Sequence, residues 1–284
     1  MGKIAIVTDS TSDMPEDLIK ENSITVVPLS VNFSSGESYL DNGKDITKEQ
    51  FYEKLKIAKK LPTSAQPTPA DFLKTYKELL DKGYATIISI HISKKMSGTL
   101  DSALSAKKEL KDKDIEVIDS YNVHMPCGII VLRAAQMAAA GKSKQEILEK
   151  VYEMRDKVKT LFIPRTLEFL KKGGRIGRAK GLVASLLEIK PILTIDSGEI
   201  SQFKTTRRWN QAKNELINSM RKMVTDSSKL TVIVSHSAAV EEADKLEERI
   251  REEFKPREIL RAEIGVIVGT HIGPGTINAT FYEE

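Results

Sequence analysis

What most constrains this chain is a recurring succession of short β-rich apolar runs and amphipathic helical stretches. Ile4-Ala5-Ile6-Val7 has the composition of a buried strand, and polar residues and Pro15 follow at once. Val26-Val27-Pro28-Leu29 reads as a second strand, with Pro28 marking an edge or a bulge. Thr47 and Gln50 form a capping box ahead of Phe51, Leu55 and Ala58. Thr68, Pro69 and Asp71 start another helix, on which Phe72, Leu73, Tyr76, Leu79 and Leu80 share one face. Strands follow at 86–90 and 116–119, with helices from about Gly98, over 125–141, and after the Ser143/Glu146 cap. Strands alternating with helices predict a mostly parallel sheet flanked by helices.

The second half changes character. A strand at 161–163 is followed by a helix from Arg165 that runs into Gly173-Gly174. Strand patterns recur at 192–195, 200–203, 230–235, 259–263 and 277–281, and Val240, Ala243, Leu246, Ile250 and Phe254 give a long amphipathic helix. Asp196-Ser197-Gly198 between two strand patterns predicts a hairpin, so this half is α+β with a mixed sheet. At roughly 150 residues per domain, 284 residues make two. The expected division is an N-terminal α/β domain over 1–160 and a C-terminal α+β domain over 161–284.

Composition narrows the function classes. A formal charge of +4, with both signs spread along the chain, does not indicate nucleic-acid affinity. The single cysteine, Cys127, excludes an internal disulfide framework and fits a reducing cytoplasm. The weakly charged stretch at 125–141 is broken by Arg133 and Gln136 and is too short to span a bilayer. The first residues run straight into a strand pattern without a signal-peptide h-region, and Ile6 stands where a myristoylation motif wants Ser or Thr. These features predict a cytoplasmic protein with at most peripheral membrane contact.

Five polar constellations interrupt the apolar pattern. Asp9-Ser10-Thr11-Ser12-Asp13 follows the first strand, where residues of an open parallel sheet either cap the next helix or line a ligand crevice. Residues 62–69 form a hydroxyl-bearing loop stiffened by prolines, which either aims hydroxyls at a ligand or only leads into the capped helix. Ser93-Lys94-Lys95-Met96-Ser97-Gly98-Thr99 suits an anion site or a helix cap. Gly173-Gly174-Arg175 lacks dinucleotide-fingerprint spacing, and Gly141-Lys142-Ser143 lacks the first glycine of a P-loop. His271 stands beside Gly273-Pro274-Gly275 and can exchange a proton near neutrality, or simply be a hydrogen-bonded turn residue. His91, His124 and His236 are scattered singly without metal-ligand spacing, so no metal site is expected.

In this order, Asp9-Ser10-Thr11-Ser12-Asp13, Gln66-Pro67-Thr68, Met96-Ser97-Gly98-Thr99, Gly173-Gly174-Arg175 and His271-Ile272-Gly273-Pro274-Gly275 make the whole chain resemble the DegV family, whose characterised members include the FakB fatty-acid-binding proteins. The resemblance implies a two-domain protein that holds one long-chain fatty acid, with no further cofactor. Its tail would lie in an apolar tunnel, with the C-terminal domain enclosing much of the tail. By matching motifs, the carboxyl contacts would be Ser64 and Ser97, with Arg175 and His271 completing the polar network and Gly273 beside them. Where the family commonly reads Thr-Ser-Gln-Pro, this chain reads Ser64-Ala65-Gln66-Pro67, so the ligand hydroxyl would come from Ser64 or, one residue earlier, Thr63.

The resemblance further implies a carrier rather than a catalyst. The bound acid would be presented to a partner ATP-dependent fatty acid kinase and carried to the membrane, with Arg207 serving partner or membrane contact. Two rival readings stand beside it. One is a serine hydrolase of acyl esters with Ser97 as nucleophile and His271 as base, although G-x-S-x-G is missing. The other is a phosphate-ligand site built from Lys171, Lys172, Arg175 and Arg178.

Overall fold

A computed structural model describes residues 2–185 and 189–284. From the N-terminus it runs β1 (Lys3–Asp9), α1 (Glu16–Glu21), β2 (Thr25–Val27), β3 (Ser30–Asn32), β4 (Ser38–Leu40), α2 (Lys48–Ile57), β5 (Thr63–Ala65), α3 (Pro69–Asp81), β6 (Tyr84–His91), α4 (Thr99–Glu109), β7 (Asp114–Asp119), α5 (Met125–Ala139) and α6 (Lys144–Lys157). It continues with β8 (Lys159–Ile163), α7 (Glu168–Lys172), β9 (Lys190–Asp196), β10 (Glu199–Thr206), α8 (Trp209–Met223), β11 (Leu230–His236), α9 (Val240–Phe254), β12 (Glu258–Glu263), α10 (Val266–Ile272) and β13 (Ile277–Glu283).

The first sheet has the order β2-β1-β6-β7 and is parallel throughout. Successive side chains of a strand point to opposite faces, so each strand feeds two cores. Val7 and Ile87 pack with Phe72, Tyr76 and Ala103 of α3 and α4. Their neighbours Ile6 and Ile88 pack with Ile130, Leu132 and Ile147 of α5 and α6. Helices therefore cover both faces. Capping boxes at Thr47/Gln50, Thr68/Asp71 and Ser143/Glu146 start α2, α3 and α6 where local chemistry predicts them.

The second sheet has the order β10-β9-β8-β13-β11-β12 and is mixed, since only β11 and β12 pair in parallel. The β9–β10 hairpin turns on Ser197 (φ 52°) and Gly198 (φ 83°), the paired positive φ angles that a tight two-residue turn needs. Its Gly198 carbonyl accepts the Ser93 hydroxyl at 2.8 Å, docking the hairpin on the end of the first sheet. Ile163, Ile192, Val234 and Ala279 face the outer helices α8 and α9. The opposite face carries Phe162 and Leu193 toward α7 and α10.

Two expectations need correction. The 62–69 loop contains strand β5, which joins β3 and β4 in a third sheet ordered β4-β3-β5. The helix expected from Arg165 begins only at Glu168. No helix among the described residues is long and apolar enough to cross a membrane. Cys127 is fully buried in α5, and burial pushes its thiol well above the ordinary range.

Candidate functional site

The three sheets meet around a cavity with about 750 Å³ of atom-free space, part of it open to solvent. Most of its wall is apolar: Ile92 after β6, Leu170 of α7, Ile195 and Ile200 of the hairpin, and Val268 and Ile272 of α10. Ser64, Ser97, Arg175 and His271 all line this same space. Thr63 and Gly273 do not. Strand alternation along β5 leaves Thr63 exposed while Ser64 is half-buried. Gly273 instead ends α10, and its carbonyl accepts the Ser237 hydroxyl at 2.7 Å.

His271 lies in the last turn of α10, and its Nε2 is 2.8 Å from Ser64 Oγ. Burial, aided by the Arg175 guanidinium, pushes this imidazole down to about 4, so it is neutral at pH 7. Its Nδ1 is buried without a hydrogen-bond partner among the described residues. A buried N–H without an acceptor is rarer than a bare lone pair, so the proton belongs on Nε2. Nε2–H then donates to Ser64 Oγ, and the Ser64 hydroxyl proton is left for a ligand.

Arg175 is held at the mouth by backbone carbonyls. Its Nε donates to the Met96 carbonyl at 3.2 Å and its Nη1 to the Gly173 carbonyl at 2.8 Å. Among the described residues Nη2 has no hydrogen-bond partner, which leaves it for an anion. Ser97 Oγ shares a 2.9 Å hydrogen bond with Thr99 Oγ1 at the start of α4. Gln66 Nε2 donates to the Gly98 carbonyl and to Ser102 Oγ, both at 3.1 Å, so the Gln66-Pro67-Thr68 segment is locked to the Ser97 turn. Arg207 is exposed, between β10 and α8. The neighbouring Trp209 stacks on Arg165 at 5.2 Å and donates its indole N–H to Glu242 at 2.9 Å.

Sequence reading missed two buried relays. His91 Nδ1 lies 2.9 Å from Asp9 Oδ2, and its Nε2 lies 2.6 Å from Ser89 Oγ, which accepts from Tyr76 at 2.8 Å. His124 Nδ1 lies 2.7 Å from Asp13 Oδ2, and its Nε2 lies 2.7 Å from Ser235 Oγ. The Asp9–Asp13 segment thus neither merely caps a helix nor only lines a crevice: its two carboxylates fix two histidines. One signal was present. Asp9 and His91 end parallel strands on the same edge of the sheet, where a crevice forms.

A family model for the DegV family matches residues 3–284. The chain belongs to the DegV family. A DegV domain-containing protein of Caldanaerobacter subterraneus subsp. tengcongensis is 38% identical over 284 residues, covering 100% of both chains. The structure of a DegV family protein from Thermus thermophilus, described by its fatty acid binding, is 33% identical with a TM-score of 0.93, covering 99% of this chain and 100% of that one. DegV of Bacillus subtilis, described as a fatty acid binding protein, is 30% identical with a TM-score of 0.92 and full coverage of both chains. The mixed α/β architecture of this DegV chain is therefore shared along its whole length.

Proposed function

We propose that this protein binds one long-chain fatty acid, with its tail in the apolar cavity, its carboxyl group held by Ser64, Ser97 and Arg175, and His271 orienting the Ser64 hydroxyl toward it. The observation that carries the reading is an apolar cavity whose mouth gathers a serine–histidine pair and an anchored guanidinium in one place. A carboxylate leaves water only where charge-assisted hydrogen bonds replace its hydration, and these groups offer them. About 15 methylenes at ~0.8 kcal/mol each give roughly 12 kcal/mol of gross burial. Ordering the chain and desolvating the head group subtract from that figure.

The protein acts as a carrier. It presents the carboxyl group to a partner ATP-dependent fatty acid kinase and returns the acyl group to the membrane through transient contact, working in the cytoplasm. Division near residue 160 lets the C-terminal domain enclose the tail while the N-terminal domain supplies Ser64 and Ser97. Arg207, exposed and outside the cavity lining, belongs to the hand-over surface. The hydrolase alternative is disfavoured by geometry: Ser97 bonds Thr99, His271 pairs with Ser64, and no acid among the described residues orients His271 Nδ1.

Mass spectrometry of lipid extracted from the purified protein tests the reading. About one fatty acid per chain is expected. Lipid-free protein that also fails to bind added palmitate or oleate would overturn it.

A further inference from the structure

Beyond the head-group site, the cavity wall carries a second polar group of residues. Thr11, His124 and Asn278 line the same space, each at least nine-tenths buried and surrounded by apolar wall. They are neighbours. The His124 amide donates to the Thr11 carbonyl at 2.8 Å, His124 Nε2 meets Ser235, and Ser235 is the cross-strand partner of Asn278. Paired residues on antiparallel strands share one face, so Asn278 stands beside the His124–Ser235 bond.

The group is held in a costly arrangement. His124 has φ 60° and ψ −152°, a region essentially reserved for glycine. Two ring hydrogen bonds, to Asp13 and to Ser235, keep it there. A tail tunnel needs none of this, because aliphatic side chains would pack a hydrocarbon better.

Asn278 shows what the group lacks. Its Nδ2 donates to Thr160 Oγ1 at 2.8 Å and its Oδ1 accepts from Thr280 Oγ1 at 3.1 Å. An amide has two N–H donors and two carbonyl lone pairs, so one donor and one acceptor remain unused among the described residues. A hydroxyl group uses both. A ketone would use only the donor, and a methylene would use neither.

The position of the group follows from α10. Gly265, just before α10, packs against the Asp13 carboxylate that holds His124, and His271 lies in the last turn. At 1.5 Å per residue, the helix sets His271 roughly 9 Å along its axis from the Gly265–Asp13 contact. We infer that the cavity is built for an oxygenated long-chain fatty acid, whose mid-chain hydroxyl pairs with Asn278 beside Thr11 and the His124–Ser235 bond. This rests on the fatty-acid reading above and adds the substrate class.

The test measures dissociation constants of the wild-type protein for stearic acid and for hydroxystearic acids that differ only in hydroxyl position. A mid-chain hydroxy acid should bind about tenfold more tightly than stearic acid, because a site built to bond a hydroxyl discriminates against the analogue lacking it. Asn278→Leu should reverse that order, and Asn278→Ala should reduce it. Stearic acid binding more tightly than every hydroxy acid to the wild-type protein would overturn the inference while leaving fatty-acid binding intact. A failure of all the acids to bind would overturn the fatty-acid reading itself. The wild-type comparison decides even where a variant fails to fold.

Discussion

Gly173 lies against the His271 ring so closely that a methyl group on its α-carbon would overlap Nδ1. Two segments nearly a hundred residues apart in sequence thus meet at the cavity where the head group is proposed to sit. The first glycine of Gly173-Gly174-Arg175 makes room for the imidazole, and its carbonyl anchors Arg175.

Gly173→Ala should therefore act on the ligand site more than on the fold. Gly173 has φ −75°, which alanine adopts without strain, so the unfolding midpoint should stay near that of the wild type. The added methyl must displace the His271 ring, and losing the head-group hydrogen bond that this ring orients costs about 1–3 kcal/mol. Isothermal titration with oleate should show weakening similar to His271→Ala and Ser64→Ala. Wild-type affinity in Gly173→Ala would mean that His271 does not orient the hydroxyl that binds the carboxyl group.

Stability should carry opposing pH dependences in the acid range. His271 and His236 are both pushed down to about 4, His271 by burial and Arg175 and His236 by burial and Arg261. Between about 6.5 and 4 the unfolded chain takes up these protons and the folded chain does not, so this contribution falls with falling pH. Asp41 is raised to about 7 by burial and by the nearby Asp13. Its folded form holds a proton that the unfolded form releases, so its contribution is present below the unfolded value and is lost as pH rises through 7. Asp41→Asn should raise the urea midpoint at pH 8 and leave it nearly unchanged at pH 4. An equal shift at both pH values would refute the assignment.

What was legible in the sequence was local. Capping boxes such as Thr68/Asp71 and runs such as Thr86–Ile90 declare themselves within a few residues, because helix starts and buried strands are short-range chemistry. Strands β3, β4 and β5 have three residues each, too few for an alternation to register, so the strand that aims Ser64 read as a loop. The histidine pairs are less local still. Asp9 and His91 lie 82 positions apart, and Asp13 and His124 lie 111 apart. Only the parallel strand order brings each pair together, and no spacing rule encodes it.

The Asp13–His124–Ser235 relay joins the first sheet to the second, so His124 should contribute strongly to stability. Removing its ring leaves the Asp13 carboxylate buried without its partner, a loss of about 3 kcal/mol or more. The backbone adds a second signature. At φ 60° and ψ −152°, alanine retains the strain and glycine does not. His124→Gly should therefore be less destabilising than His124→Ala, by about 1 kcal/mol in equilibrium urea unfolding. The reverse order would show that the backbone relaxes once the ring is gone.

Hand-over should be separable from binding at Arg207. The residue is exposed between β10 and α8, and none of the cavity-lining residues is its neighbour in sequence. Its own aromatic neighbour, Trp209, is already engaged by Arg165 and Glu242, so Arg207 is left to act through charge alone. An exposed arginine of this kind suits an acidic partner surface, where truncation commonly costs about 1 kcal/mol or more. Arg207→Ala should keep oleate affinity within about twofold of the wild type, since an exposed substitution outside the cavity lining is close to neutral. Acyl-phosphate formation, measured with a cognate kinase, ATP and oleate-loaded protein, should fall about fivefold or more. Because the contact is electrostatic, the gap between variant and wild type should narrow as added salt shortens the Debye length from about 10 Å at 0.1 M. Equal kinase turnover at low salt, with equal transfer of oleate to anionic vesicles, would remove Arg207 from the hand-over surface.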